Sequence, residues 1–167
     1  MKSMRIVIFL LLLTALGCSQ NNKGQGTDTR VKFKGGTSTF EFGGNYLPSE
    51  EIVVKEYLLN SIEIDTHDTL QGYFIKKVYL RFLNMKSEDD EYYVIKNTSI
   101  QNNSKDDFWI IANDSLLGNI EIKGRFLGEK GPRLNNIKGS KEIVFEGVLF
   151  VDGKKETKIT CNYFEGD

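Results

Sequence analysis

Imidazole is almost missing from this chain: His67 is its one histidine. Tryptophan is equally rare, at Trp109 alone, and only two cysteines (Cys18, Cys161) and two prolines (Pro48, Pro132) occur in 167 residues. Each scarcity excludes something. A zinc centre needs three or four His or Cys ligands at close spacing, which this chain cannot supply. A serine–histidine–acid triad would have to use His67, in Asp65-Thr66-His67-Asp68. No G-x-S-x-G elbow accompanies it, and its polar neighbours read as a solvated turn between two strands. An excess of positive charge is also missing, with 22 basic against 23 acidic residues, so nothing draws nucleic acid or an anionic surface. Gly35-Gly36 and Gly43-Gly44 flank an extended run without the lysine of a phosphate-binding loop, and read as turns or bulges.

Carboxylates are plentiful, but not in a metal-binding order. Residues 87–91 read SEDDE, and Asp106 and Asp107 are adjacent. A calcium loop alternates its oxygen ligands around a glycine turn, and neither cluster does. Both read as solvated loops that guard strand edges. No metal and no cofactor is expected, with weak calcium binding by these oxygen-rich loops as the alternative left open.

The N-terminus is an address. Lys2 and Arg5 precede an unbroken apolar run, Ile6 to Leu13, followed by Thr14, Ala15, Leu16, Gly17 and Cys18. Basic, then apolar, then small is the order of a secretory signal. The run is too short to span a bilayer as a permanent helix, which takes about 20 residues. Gly17-Cys18 resembles the lipobox of bacterial lipoproteins, over the first 18 residues only. It departs from the usual pattern at Ala15 and Leu16, where the family more often has a small residue and then leucine. The resemblance implies cleavage before Cys18, acyl chains such as palmitate on that cysteine, and a membrane anchor. Ser19, in place of the aspartate that retains lipoproteins in the inner membrane, implies the outer membrane. Residues 18–28 then form a polar, glycine-containing tether expected to stay flexible, and 29–167 a single β-rich domain. Losing Lys2 and Arg5 with the signal leaves 20 basic and 23 acidic residues, a formal charge of −3. With Cys18 committed to lipid, Cys161 can form no internal disulfide, and a lone thiol of this kind is expected to be buried.

Most of that domain reads as strands. Scarce proline, common β-branched and aromatic residues, and regular turn residues all point that way. Residues 142–151 and 154–164 flank Asp152-Gly153, a strong hairpin signal because both turn residues need positive φ. There Thr157, Ile159, Cys161 and Tyr163 share one face, with Lys154, Glu156 and Lys158 on the other. Residues 72–83 form a second strand, with Phe74, Val78, Leu80 and Phe82 on one parity and Tyr73, Ile75, Lys77, Tyr79 and Arg81 on the other. Residues 119–127 form a third, with Ile120, Ile122 and Phe126 alternating against charges until 128–132 break it. Shorter strands are expected at 31–34, 37–42, 92–96 and 108–112. Residues 49–64 are ambiguous: Ile52, Val54, Leu58, Ile62 and Ile64 favour strand, and Pro48, Ser49 and the acids after them favour a short helix over 49–60. The fold expected is all-β, an antiparallel immunoglobulin-like sandwich, with a small lipocalin-like barrel as the alternative.

The candidate contact residues are aromatic. Trp109 could stack on a sugar or anchor a protein, but Ile110 and Ile111 follow it, and a core strand tryptophan is the better reading. Tyr46 and Tyr79 are the other leading contacts, with Tyr73, Tyr92 and Tyr93 behind them. Asp68-Thr69-Leu70 and Asp114-Ser115-Leu116 resemble the short O-glycosylation acceptor motif of exported proteins in one group of Gram-negative bacteria. The resemblance implies Thr69 and Ser115 as acceptors in exposed loops. The function expected is therefore non-catalytic: an outer-membrane-anchored lipoprotein binding a protein partner as an accessory subunit of a cell-envelope complex. A small-ligand or glycan-binding lipoprotein is the alternative. A hydrolase is third, and would need two carboxyls about 5–10 Å apart across a cleft.

Overall fold

The computed structural model describes residues 37–129, 131–132 and 142–164. The signal segment, Cys18, the tether, Gly35-Gly36 and the strand expected at 31–34 lie outside those residues.

Among the described residues ten strands follow one another: β1 (Gly44–Pro48), β2 (Val53–Val54), β3 (Tyr57–Thr69), β4 (Gly72–Asn84), β5 (Tyr92–Ile95), β6 (Thr98–Asn103), β7 (Phe108–Asp114), β8 (Gly118–Phe126), β9 (Ile143–Val151) and β10 (Lys154–Phe164). All pairings are antiparallel. The order is β5-β4-β3-β1-β10-β9-β8-β7-β6, with β2 also on β3. Two meanders, β3 to β5 and β6 to β10, are thus stitched together by β1. The outermost strands of this path, β5 and β6, are consecutive in the chain, so the sheet curls until its ends approach. There Thr98 Oγ1 donates to Val78 O at 2.6 Å, tying β6 to β4.

The all-β antiparallel class is as the sequence indicates. The arrangement is one sheet nearly closed into a barrel, not the two sheets of the sandwich expected first. Strand periodicity separates the residues of a strand into two faces and says nothing about whether a sheet is cut in two.

The hairpin at Asp152-Gly153 forms as its turn chemistry requires, with φ of 49° and 76°. Across it Ile159, Cys161 and Tyr163 are buried. Elsewhere bulges move residues off the faces that simple alternation assigns them. In the β3–β4 pair the register steps between Asp65↔Lys77 and Thr66↔Ile75. That extra residue turns Ile75 into the core, at 1% exposure, and leaves Phe74 half-exposed, the reverse of the parity expected. A second step between Leu59 and Ser61 buries Leu59 and turns Leu58 outward, although Leu58 shares parity with the buried Ile62 and Ile64.

Residues 49–60 contain no helix: Lys55 takes φ 59° in a turn between β2 and β3. Residues 37–42 do not form the expected strand either. Only Ser38 bridges Tyr73, and the segment then drives Phe40, Glu41 and Phe42 into the core. His67 lies within β3, paired with Phe74, and the turn comes later at Leu70-Gln71. Two strands, β1 and β6, lack strong alternation and escape sequence reading.

Inside the barrel the rings of Phe40, Phe42, Tyr46, Phe108 and Phe145 surround Phe126, with centroids 4.9–5.5 Å from it. Room for them comes partly from two glycines. Gly124 and Gly147 are direct cross-strand partners, next to Phe108 and Ile159 in the same row. A Cβ on Gly124 would lie 2.3 Å from Glu146 O and 2.5 Å from the Phe145 ring.

Candidate functional site

Among the described residues, apolar side chains pack the interior into one cluster. The void among Tyr46, Ile62, Ile64, Phe108, Ile110, Phe126 and Phe145 has no room for a water molecule. Tyr46, expected as a contact residue, belongs to this packing: it is 1% exposed and its hydroxyl donates to Phe42 O at 2.6 Å. Burial holds its phenol well above the ordinary range, with Glu41 nearby adding to the effect. Glu41 is itself buried; its Oε1 accepts from Gly43 N at 2.8 Å and Thr66 Oγ1 at 3.2 Å, while Oε2 has no partner. Cys161 is buried as expected, and burial pushes its thiol up to about 12.

Two outer regions stand out. The first lies at the end of the barrel that holds the β2–β3, β4–β5 and β7–β8 turns. Among the described residues six large apolar side chains are exposed, and four of them, Val53, Met85, Tyr92 and Leu116, are at this end. The pairing explains their grouping. Val53 faces Leu58, Leu58 faces Leu83, and Leu83 faces Tyr92, so four apolar side chains cross β2, β3, β4 and β5 in one row. Val53 and Tyr92 are 45% and 47% exposed, and Leu58 and Leu83 are half-buried. Arg81 lies 5.7 Å from the Tyr92 ring centre and is held by Glu63 at 2.6 Å, which raises its pKa. Tyr79 pairs with Glu63 in register and is half-buried beside this group. A groove of about 330 Å³ runs along Leu58 between Leu47, Glu50 and Glu51.

Cross-braces hold the same end. Tyr93 Oη donates to Asp114 Oδ2 at 2.7 Å, and Lys55 Nζ donates to Leu116 O. The Tyr93 phenol is pushed up to about 12, mainly by its bond to Asp114. Burial works to raise the Asp114 carboxyl, but the bonds from Tyr93, Leu117 N and Leu116 N and the charge of Lys55 outweigh it, and the net direction is down.

The second region is on β7 to β10. Trp109 is not the core tryptophan expected from its neighbours: Phe108 and Ile110 are buried, and Trp109 points outward and is half-buried. Alternation within the strand decides this, whatever the hydropathy of the run. Lys123, its cross-strand partner, holds Nζ 4.0 Å from its ring centre and 5.4 Å from that of Phe150. The indole Nε1 is covered and unpartnered. Nearby, a groove of about 590 Å³ is lined by Asp106, Asp107, Lys123, Arg125, Glu146 and Lys158, with Arg125 and Glu146 paired at 2.6 Å.

Thr69 and Ser115 are both exposed, at the β3–β4 and β7–β8 turns. His67 is exposed too. Among the described residues no three His, Cys, Asp or Glu side chains gather as metal ligands. Sequence reading missed the four-residue row because the bulge that exposes Leu58 has no sequence signature; Tyr92 was its one member among the aromatic candidates. No protein-family model, curated protein or solved structure matches the chain.

Proposed function

We propose that this is a lipid-anchored, non-catalytic binding protein of the bacterial outer membrane, docking a protein partner on the outside of its barrel as an accessory subunit of an envelope complex. The supporting observation is the pairing of a packed interior with an exposed apolar row at one end. A barrel that carried a small apolar ligand would need a hollow core. Exposed apolar groups rimmed by polar ones are the usual mark of a protein contact.

The tether agrees with this placement. The described chain enters beside Tyr73, through the Ser38 bridge, at the end opposite the row. Envelope fractionation tests the anchor: a Cys18→Ser chain should leave the outer-membrane fraction. Mild-detergent purification of the intact lipoprotein from native membranes tests the binding, with a stoichiometric partner expected.

A second reading is favoured by the groove beside Trp109, whose mixed charges suit a hydroxyl-rich ligand. It predicts glycan binding that Trp109→Ala abolishes. Thr69 and Ser115 would be glycan acceptors in either case, detectable as added mass on the mature protein.

A further inference from the structure

We infer that the row Val53–Leu58–Leu83–Tyr92 receives a basic segment of another protein, one that lays apolar side chains on the row and sets lysines or arginines against its border. This rests on the protein-binding reading above and names the chemistry of the partner.

The border is acidic on both sides. Glu50 and Glu51 are exposed in the turn that precedes β2, next to Val53 and Leu58. Glu88, Asp89, Asp90 and Glu91 are exposed in the loop that runs into Tyr92. The nearby cations do not neutralise them. Lys86 is held by Glu56 and Arg81 by Glu63, while Lys55, bonded to the Leu116 carbonyl, spends its charge on the Asp114 carboxylate, whose pKa it helps lower. Among the described residues, Glu91 alone of the six border acids accepts a side-chain hydrogen bond, from Asn84 Nδ2 at 3.3 Å, and that donor is neutral. The apolar row thus lies between two sets of carboxylates with no ion-pair partner among the described residues.

That field chooses among occupants. A second copy of this chain would bring the same carboxylates against themselves, which is repulsive. An anionic lipid surface is disfavoured for the same reason. A cationic segment gains on both counts: apolar contact at the centre, where desolvation is favourable, and attraction at the rim, which speeds and orients encounter. Cross-strand neighbours are about 5 Å apart, so the row offers about 15 Å of continuous apolar contact, enough for a short segment.

The test is photo-crosslinking of the full lipoprotein in native membranes. A photoreactive amino acid is placed at Leu83 and, in a separate chain, at Lys158 on the far side of the barrel. The crosslinked peptide is sequenced by mass spectrometry. The inference expects a heterologous adduct at Leu83, with lysine or arginine among apolar residues in the captured peptide. It also expects the yield to fall about tenfold in Glu50→Lys/Glu51→Lys or Asp89→Lys/Asp90→Lys chains, and with added salt. Circular dichroism confirms that these surface variants fold. An acidic or uncharged peptide, a yield indifferent to charge reversal, an adduct with a second copy or with lipid, or an adduct at Lys158 alone would each overturn the inference. Of these, a heterologous protein adduct leaves the protein-binding reading standing. No protein adduct at either position would remove both.

Discussion

The hydroxyl of Tyr93 on β5 lies 2.7 Å from a carboxylate oxygen of Asp114, at the end of β7. These strands are far apart in the sheet order, so the bond joins parts of the barrel that no backbone ladder connects. With Thr98 to Val78 O and Lys55 to Leu116 O it braces the curled sheet. Tyr93→Phe keeps the ring beside Tyr57 and removes only the donor. It should cost about 1 kcal/mol in urea unfolding, with Asp114 still bonded by Leu116 N and Leu117 N. A loss below the error of the measurement would show that the brace is idle.

The same pair sets a pH signature. The Tyr93 pKa is raised in the fold to about 12. Its stabilisation is therefore complete below the unfolded tyrosine value of about 10 and disappears as pH climbs toward 12. Asp114 is lowered in the fold. Its contribution is present above the unfolded aspartate value of about 3.9 and disappears as pH falls through the depressed folded value. Tyr93→Phe should lessen the alkaline limb, to which the raised Tyr46 and Cys161 also contribute, and leave most of the acid limb. Unfolding midpoints measured across pH check both.

Cys161 is fully buried, with its thiol pushed up to about 12. In a Cys18→Ser chain it is the sole thiol. Thiolate is the reactive form, so a disulfide reagent at pH 8 should label nothing in the native protein and one equivalent in denaturant. Rapid native labelling would mean that β10 opens readily.

Phe126 touches five other aromatic rings. Phe126→Ala should destabilise by about 3–5 kcal/mol, because the filled barrel has no loose neighbour to collapse into the space.

Glycine substitutions separate two physical causes. Gly124→Ala places a methyl against Glu146 O and the Phe145 ring and should cost about 1–3 kcal/mol through overpacking. Gly153→Ala meets nothing within 4 Å but sits at φ 76°, and should cost about 1 kcal/mol through backbone strain alone. Gly153→Asn, which tolerates that conformation, should recover part of the loss, whereas no substitution at Gly124 should. Thermal unfolding of the three variants decides it.

Much of the sheet was legible because local chemistry determined it. Asp152-Gly153 demanded a hairpin, and Ile120, Ile122 and Phe126 alternated cleanly on β8. What stayed hidden depends on pairing between distant strands. The bulges that bury Ile75 and expose Leu58 arise from register, and register is a property of two strands at once. Phe40 and Phe42 read as strand residues because they alternate, yet they serve as plugs in an irregular segment. Tyr46 and Trp109 exchanged roles for the same reason: aromatic character does not say which face of a strand a ring takes. The candidate docking row needed all of this, since its four members come from four strands.

Purification in mild detergent from native membranes, with the wild-type lipoprotein compared against Val53→Asp/Tyr92→Asp and against Trp109→Ala, tests the central claim most directly. Val53 and Tyr92 are exposed enough to be changed without emptying the core. The account predicts a stoichiometric protein partner that Trp109→Ala retains and Val53→Asp/Tyr92→Asp loses. A partner retained by the double variant and lost with Trp109→Ala would place binding on the other side of the barrel, and a wild-type protein that purifies alone would contradict the account outright.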